Sequence, residues 1–550
     1  VSPFLFYCYI CCHYARANLK NQWHLRTFLP VHSLFFSVIL KEMQWLNAII
    51  EELVRRCPEG VITVSSGVSP SGTYHLGTLR EVLTAEVIAR ELRRRGREAK
   101  HLHIVDDLDV FRKVPVNIDE SFSQYLGRPL CDVPAPDGSD QSYADYFLKD
   151  LIEAIDIMGL NVEIVRANER YRTGFFVPAI EKTVENIEHI KSVLEEVSGR
   201  KLDPSWTPIQ IIEEGRVKNR QFTAMDTDQK TITYTDKDGQ PVAARYDRGE
   251  VALSWRVDWP ARWWLLGVDA EPFGRDHATK GGSYDTGKVI AKDAFGIEAP
   301  VPIPYNFINR VGDTKKMSKS AGDVVTAKQL LSILPPEIVW FFLLRSSPDK
   351  LLFFGEGETL LRLFDDFAEL LAKENREPWE QELVELCLDG IDEPTVSNIP
   401  FSHLVSSYQA ALRDSDKTIE VLARTEHMDM AHKQKEIIEK ELRFIDSWLD
   451  TWAPDDLKFS LRQDVDMTEF SDAERAYFAA LGEKISAAPA DADGAWFHEA
   501  IYSFKDEVDI PSKELFGSLY RLLIGKTSGP RAGWFLSILP RDWLITRLKG

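Results

Sequence analysis

The stretch that most restricts how this chain can fold is a change of pattern near its start. Val61-Ile62-Thr63-Val64 is a β-branched run, as in a buried strand. It gives way to Ser66-Gly67-Val68-Ser69-Pro70-Ser71-Gly72-Thr73-Tyr74-His75-Leu76-Gly77-Thr78, rich in turn-forming residues. From Leu79 the pattern turns helical, with Leu79, Val82, Leu83, Val87 and Leu92 able to share one face. Strand, glycine-rich loop and helix in that order predict an α/β nucleotide-binding unit. A helix start offers unpaired N–H groups and the positive end of its dipole to phosphate. Gly72 and Gly77 let a ligand approach the backbone, and His75 can donate hydrogen bonds to phosphate oxygens. A second strand is expected at His101-Leu102-His103-Ile104-Val105. Asp106, Asp107 and Asp109 then fall at its carboxyl end, where such folds bind ligands. An ordinary β–turn–α connection carries the same local pattern, so a second signal is needed.

That signal is the loop Lys315-Lys316-Met317-Ser318-Lys319-Ser320-Ala321-Gly322. A charge run is usually a solvated turn, but this string is rare by chance. Two mobile ammonium groups, Lys316 and Lys319, can neutralise charge on a pentavalent phosphorus and its pyrophosphate leaving group. Together the two segments predict an ATP site that activates a carboxylate by adenylation.

The pair resembles the two signature motifs of class I aminoacyl-tRNA synthetases. Further blocks narrow the resemblance: Pro70-Ser71-Gly72 before His75-Leu76-Gly77, Asp106-Asp107-Leu108-Asp109, Trp255-Arg256-Val257-Asp258-Trp259-Pro260, Gly274-Arg275-Asp276-His277, and Gly281-Gly282-Ser283-Tyr284-Asp285-Thr286-Gly287. From about Met43 to the C-terminus these are similar to the class I lysyl-tRNA synthetases of archaea and some bacteria. One position departs: Thr78 stands where that family usually has Asn, and keeps a hydrogen-bonding side chain.

The resemblance implies a reaction: lysine and ATP give lysyl-adenylate and pyrophosphate, and the lysyl group then passes to the terminal adenosine of tRNA(Lys). It implies an ATP site of Pro70, Ser71, Gly72, His75, Gly77 and Thr78, with Gly274 and Asp276 on the ribose. Lys316, Met317, Ser318, Lys319 and Ser320 would close over the phosphates, making His75, Lys316 and Lys319 the catalytic set. The lysine pocket it implies is Gly67, Ser69, Trp255, His277 and Tyr305, with Asp106 our candidate for the α-amine. Trp255 and Tyr305 also fit plain core packing, and His277 a satisfied structural histidine. Magnesium is expected with ATP, bridging its phosphates rather than sitting in an all-protein cage.

Composition sets bounds. The 550 residues, 44% hydrophobic and 28% charged, suit two to four globular domains. A net charge of −20 does not exclude a tRNA partner, because binding follows local basic patches. Candidate patches are Arg93-Arg94-Arg95 with Arg97 and Lys100, and the tail residues Lys526, Arg531, Arg541, Arg547 and Lys549. No membrane or DNA partner is expected. Residues 1–42 begin with Val, hold Cys8, Cys11 and Cys12, and carry +3, leaving −23 on the rest. Their apolar stretches are too short and broken for a membrane span, and no clear cleavage site follows. An amphipathic helix pattern begins at Met43, so Met43 is expected to be the initiator and 1–42 translated upstream sequence. The remaining cysteines, Cys57, Cys131 and Cys387, are scattered, which fits a reducing, cytoplasmic setting. Members of the resembled family often carry zinc in their inserted region. Here Pro204–Gly249 and Asp132–Phe147 contain neither Cys nor His, so no zinc and no protein-held metal are expected.

The expected fold class is therefore an α/β Rossmann-like catalytic domain over 43–330, with an insertion at about 112–250. Within the insertion, strands at Thr231-Ile232-Thr233-Tyr234 and Pro241–Tyr246 flank Asp238-Gly239, a hairpin signal. Residues 331–550 read as mainly α-helical: Ile438, Leu442, Ile445 and Leu449 have helix spacing, and Ser471-Asp472-Ala473-Glu474 is a capping box. In the resembled family such a domain grips the anticodon. Three other readings share part of the pattern. A glutamyl- or glutaminyl-type class I synthetase would call for a dedicated arginine, and only Arg256 and Arg275 offer one. A non-catalytic tRNA-binding paralogue tends to lose one signature motif. A small nucleotidylyltransferase would not need the helical domain.

Overall fold

Five parallel strands carry the first half of the protein: β1 (Ile62–Val68), β2 (Ala99–Val105), β3 (Val162–Arg166), β4 (Ala270–Gly274) and β5 (Val301–Tyr305). Their order across the sheet is β5-β4-β1-β2-β3, all neighbours parallel. The chain winds from β1 outward to β3, then returns to place β4 on the other side of β1. That reversal makes a crevice at the carboxyl ends of β1 and β4, where open α/β sheets bind ligands. The structure is a computed structural model and describes residues 44–312, 325–508 and 510–550. The expected initiator Met43, the segment before it and the Lys-Met-Ser-Lys-Ser loop lie outside the described residues.

β1 runs four residues beyond Val64, through residues that read as turn formers. Ser66 is buried, and its hydroxyl lies 2.8 Å from both His101 Nε2 and His103 Nδ1 on β2. The neighbouring strand thus satisfies a polar side chain that would otherwise favour a turn. Helix α2 (Leu76–Arg94) starts at Leu76, before the apolar spacing begins, because His75 caps it. The helix preceding the sheet, α1 (Gln44–Arg56), buries Leu46, Ile50 and Leu53 in the same core.

Part of the stretch read as an insertion belongs to the sheet layer. β3 pairs with β2 over five residues, and α3 (Tyr143–Ile157) buries Leu148 and Leu151 in the core shared with α2. The antiparallel part comes next: Phe222–Asp226, Thr231–Thr235 and Pro241–Arg245 form a three-stranded ribbon whose turn places Gly239 at φ +79°. Ile232 of the ribbon belongs to a buried cluster with Ile209, Tyr246 and Val251.

From Ala327–Ile333 onward the described chain is mainly helical, apart from strand Leu352–Phe354, which pairs with Ile308–Arg310. Helix Lys435–Thr451 buries Ile438, Leu442, Ile445 and Leu449, and Ser471 with Glu474 forms the capping box of Asp472–Ser486. A second core, including Phe478, Leu481, Phe535 and Leu548, holds the last helices together. Among the described residues no single helix is long and apolar enough to cross a membrane.

Most of the candidate basic patches are occupied by the protein itself. Arg93 pairs with Glu86, Arg94 with Glu91 and Glu385, and Arg95 with Glu91. Arg97 donates to the Cys57 carbonyl, Arg541 to those of Ala488 and Pro489, and Arg547 to that of Gln463; Lys549 pairs with Glu483. Arginine-rich strings look basic in sequence, yet carboxylates of the protein balance Arg93, Arg94, Arg95 and Lys549, and backbone carbonyls hold Arg97, Arg541 and Arg547 in place.

Candidate active site

The crevice is a cavity of about 580 Å³, within the range of small-ligand sites. Register places its rim. Gly67 and Val68 of β1 stand beside Ile104 and Val105 of β2, and Gly274 of β4 beside Tyr305 of β5. Among the sequence-derived candidates, Gly67, Ser69, His75, Gly77, Thr78, Asp106, Trp255, Gly274, Asp276, His277 and Tyr305 all line it. Pro70, Ser71 and Gly72 are not among the lining residues; they form the turn between β1 and α2, where the Ser71 carbonyl accepts from Tyr143 Oη at 3.3 Å. Lys316, Met317, Ser318, Lys319 and Ser320 lie outside the described residues. Just beyond them, Thr326 forms a bridge with His75, and the Ala327 N–H donates to the Tyr74 carbonyl at 3.1 Å. The chain leaving the second motif is thus pinned to the first.

His75 has a defined tautomer. The Gly77 N–H donates to its Nδ1 at 2.9 Å, so a neutral ring carries its proton on Nε2. The close approach needs a glycine: a Cβ on residue 77 would lie 2.7 Å from His75 Cε1. Gly274 is similar, since a Cβ there would meet Asp276 Oδ1 at 2.6 Å. Thr78 is buried in the first turn of α2, and its N–H donates to the His75 carbonyl at 2.8 Å.

The cavity also carries charged groups. Among the described residues, Glu81, Asp106, Asp109, Glu271 and Asp276 line it, against Arg80, Arg112 and Arg262. Each arginine is already engaged. Arg80 donates to the carbonyls of Asn306, Phe307, Pro348 and Lys350 at 2.8–3.1 Å. Arg112 pairs with Asp109 at 2.6 Å. Arg262 donates to Asp106 Oδ1 at 2.9 Å and pairs with Asp258, which also accepts from Tyr171. Burial pushes the Asp258 carboxyl up to about 6, while Arg262 and Tyr171 pull against it. Burial, with Asp106 nearby, likewise raises Asp109, against the pull of Arg112.

Several residues here carried no signal in the sequence. Glu81, on α2, accepts the Gly67 N–H at 2.8 Å with Oε1 and the Tyr305 hydroxyl with Oε2. In sequence it resembles any solvent-facing glutamate of an amphipathic helix. Burial and the Glu81 carboxylate hold the Tyr305 phenol well above its usual value, so it remains a donor. Glu271, on β4, is buried and accepts the indole N–H groups of Trp259 and Trp263; burial lifts its carboxyl to about 7. Asp107, grouped with its neighbours by sequence, instead turns inward to Arg166 and Asn168.

The aromatic side of the cavity is built on α4 (Trp255–Leu266). Trp255, 40% exposed, stacks on Trp259 at 5.3 Å and 15°, and His277 lies 6.0 Å from Trp255 and 5.7 Å from Trp259. Trp255 thus offers an open aromatic face, while Trp259 behind it is packed in the core. Among the described residues the grouping suited to a metal, His403, Glu426 and His427, lies in the helical region, and none of the three lines this cavity.

Similarity to known proteins runs along most of the chain. The family model described as tRNA synthetases class I (K) matches residues 43–386. The lysine–tRNA ligase 1 of Methanosarcina acetivorans is 35% identical, over 92% of this chain and 98% of its own. The lysine–tRNA ligase of Archaeoglobus fulgidus is 35% identical, over 92% of this chain and 99% of its own. That of Thermococcus kodakarensis is 33% identical with the same two coverages, 92% and 99%. A glycine-rich first motif at a switch-point crevice, an acidic cavity and this similarity along most of the chain lead to one conclusion: the chain belongs to the lysine-type class I tRNA synthetases.

Proposed function

We propose that this protein is a lysine–tRNA ligase: it activates lysine with ATP to lysyl-adenylate and pyrophosphate, then transfers the lysyl group to the 3′-terminal adenosine of tRNA(Lys). The observation that carries the reading is the charge of the cavity. Among the described residues, Arg262 and Arg112 are paired with Asp106 and Asp109 and Arg80 is held by backbone carbonyls, while the Glu81 and Asp276 carboxylates also line the cavity. Such a site favours a cationic side chain and offers an anionic one no free guanidinium.

In this reading the ε-ammonium group is met by Glu81, with Tyr305 donating to the same carboxylate, and the aliphatic chain lies along Trp255 and His277. Asp106 and Ser69 face the α-amine. A lysine carboxylate oxygen attacks the α-phosphorus; its new bond forms as the bond to the pyrophosphate oxygen breaks. No covalent protein nucleophile is required, only positioning and charge stabilisation. His75 donates from Nε2 to the phosphates, Gly274 and Asp276 hold the ribose, and Lys316 and Lys319 neutralise the leaving pyrophosphate. Magnesium travels with ATP, no zinc takes part, and the enzyme works in the cytoplasm with the helical region on the anticodon. In the second step a ribose hydroxyl attacks the acyl carbon and AMP leaves.

The test is ATP–pyrophosphate exchange and aminoacylation with lysine, glutamate and arginine, each with and without tRNA. Lysine-dependent charging is expected, with the other two at background. Charging of glutamate in place of lysine would reject the reading.

A further inference from the structure

Trp255 and His277, 6.0 Å apart, form one wall of the cavity, and its orientation depends on what packs behind it. Trp255 is solvent-facing at the edge of the cavity, and an exposed indole does not hold its own orientation. Its support is Trp259, stacked beneath it at 5.3 Å. Trp259 also meets Phe273 edge-on at 5.3 Å and His277 at 5.7 Å, so it joins the aromatic groups on this side.

What fixes Trp259 is a carboxyl group. Glu271 Oε2 accepts from Trp259 Nε1 at 3.1 Å and also from Trp263 Nε1. Residues 259 and 263 are one helical turn apart, so both indoles leave the same face of α4 and converge on one oxygen. Glu271 is itself 7% exposed, set in β4 below Gly274 and lining the cavity floor. A buried carboxyl group placed to accept two N–H groups, with no arginine or lysine paired to it among the described residues, is costly to maintain. Plain packing would be served as well by an apolar side chain.

We propose that Glu271 is a positioning residue for the amino-acid half of the cavity, holding Trp259 by its indole N–H and, through Trp259, the Trp255–His277 wall. The proposal rests on the lysine reading for its kinetic consequence, but not for its structural one. The hydrogen-bond acceptor, rather than the negative charge, is the required feature. Gln supplies an acceptor at the same place; Leu fills similar space and supplies none.

The experiment compares Glu271→Gln and Glu271→Leu with the unaltered enzyme in lysine-dependent ATP–pyrophosphate exchange in the presence of tRNA. Near-ultraviolet circular dichroism of the free proteins is recorded alongside. The Gln variant is expected to keep its lysine KM within about 2-fold, and the Leu variant to raise it about 10-fold, with the ATP KM nearly unchanged in both. The tryptophan dichroism of the stacked pair should persist in the Gln variant and diminish in the Leu variant. Trp259→Phe, which keeps a ring and deletes the N–H, should raise the lysine KM as the Leu variant does, and serves if Leu prevents folding. The proposal is overturned if the Leu and Phe variants leave the lysine KM unaltered, if Gln is as impaired as Leu, or if the ATP KM rises in step. Unaltered enzyme inert towards lysine, with the dichroism behaving as expected, would instead reject the lysine reading and support the wall geometry.

Discussion

His75 illustrates how one backbone contact sets the chemistry of a side chain. With Nδ1 accepting the Gly77 N–H, the ring has Nε2 left to donate, and the cap fixes its direction at the positive end of α2. The same contact makes residue 77 sensitive. A methyl group there would lie 2.7 Å from His75 Cε1 and must displace the imidazole. Gly77→Ala is therefore expected to lower kcat/KM for ATP about 100-fold, the scale of losing one transition-state donor. Steady-state ATP–pyrophosphate exchange measures it, and a variant with ordinary ATP kinetics would show that the imidazole tolerates the methyl group. Asp106 and Arg262 make the complementary point. An arginine at the cavity suggests an anionic ligand until Asp106 and Asp258 are seen to balance it.

At the scale of elements, helices are joined by buried carboxyl groups as well as by apolar faces. Residues 395–399 cross between two helices, held by Glu337 and Glu441 from two more. Glu337 Oε1 accepts from the N–H and hydroxyl of Thr395, each at 2.6 Å, and Glu441 Oε2 accepts the Ser397 N–H at 2.9 Å. Burial, with Glu337 adding to it, pushes the Glu441 carboxyl up to about 8. A carboxyl whose value is raised by folding favours the fold while protonated. Its contribution is full below the ordinary value of 4.5 and is lost as pH rises through about 8. Glu441→Gln, which cannot ionise, is expected to melt about 2 °C or more above the unaltered protein at pH 9, with the gap closing by pH 5. Thermal melts at the two pH values check this, and a gap that is the same at both would contradict it.

Across the whole molecule, one side chain ties the nucleotide-binding layer to the start of the helical region. Arg80, 2% exposed on α2, donates to carbonyls at 306, 307, 348 and 350, and so links the helix that starts at the first motif to the strands and turns around Leu352–Phe354. Removing it leaves four carbonyl acceptors without this donor, that of Pro348 buried and the others partly so. Arg80→Met is expected to cost about 3 kcal/mol or more, seen as a lower urea midpoint with an unchanged slope. The hydrophobic pattern of α2 gives no hint of this role, and the same is true of Glu81 and Glu271, which look like surface glutamates in sequence. The local grammar was more legible. The switch from β-branched run to glycine loop to helix, the Asp238-Gly239 hairpin and the Ser471 capping box are each written in residues a few positions apart, where sterics and backbone hydrogen bonding act directly. By itself the sequence therefore determined the kind of fold, the order of its motifs and the residue types able to meet ATP and an amino acid. Only the tertiary structure decided that β3 belongs to the sheet, that Ser66 lies inside a strand, and which charges are neutralised and which are left facing the cavity. Those outcomes depend on partners such as Asp106 and Arg262, or Gly67 and Glu81, whose proximity is set by winding the sheet and not by any spacing along the chain.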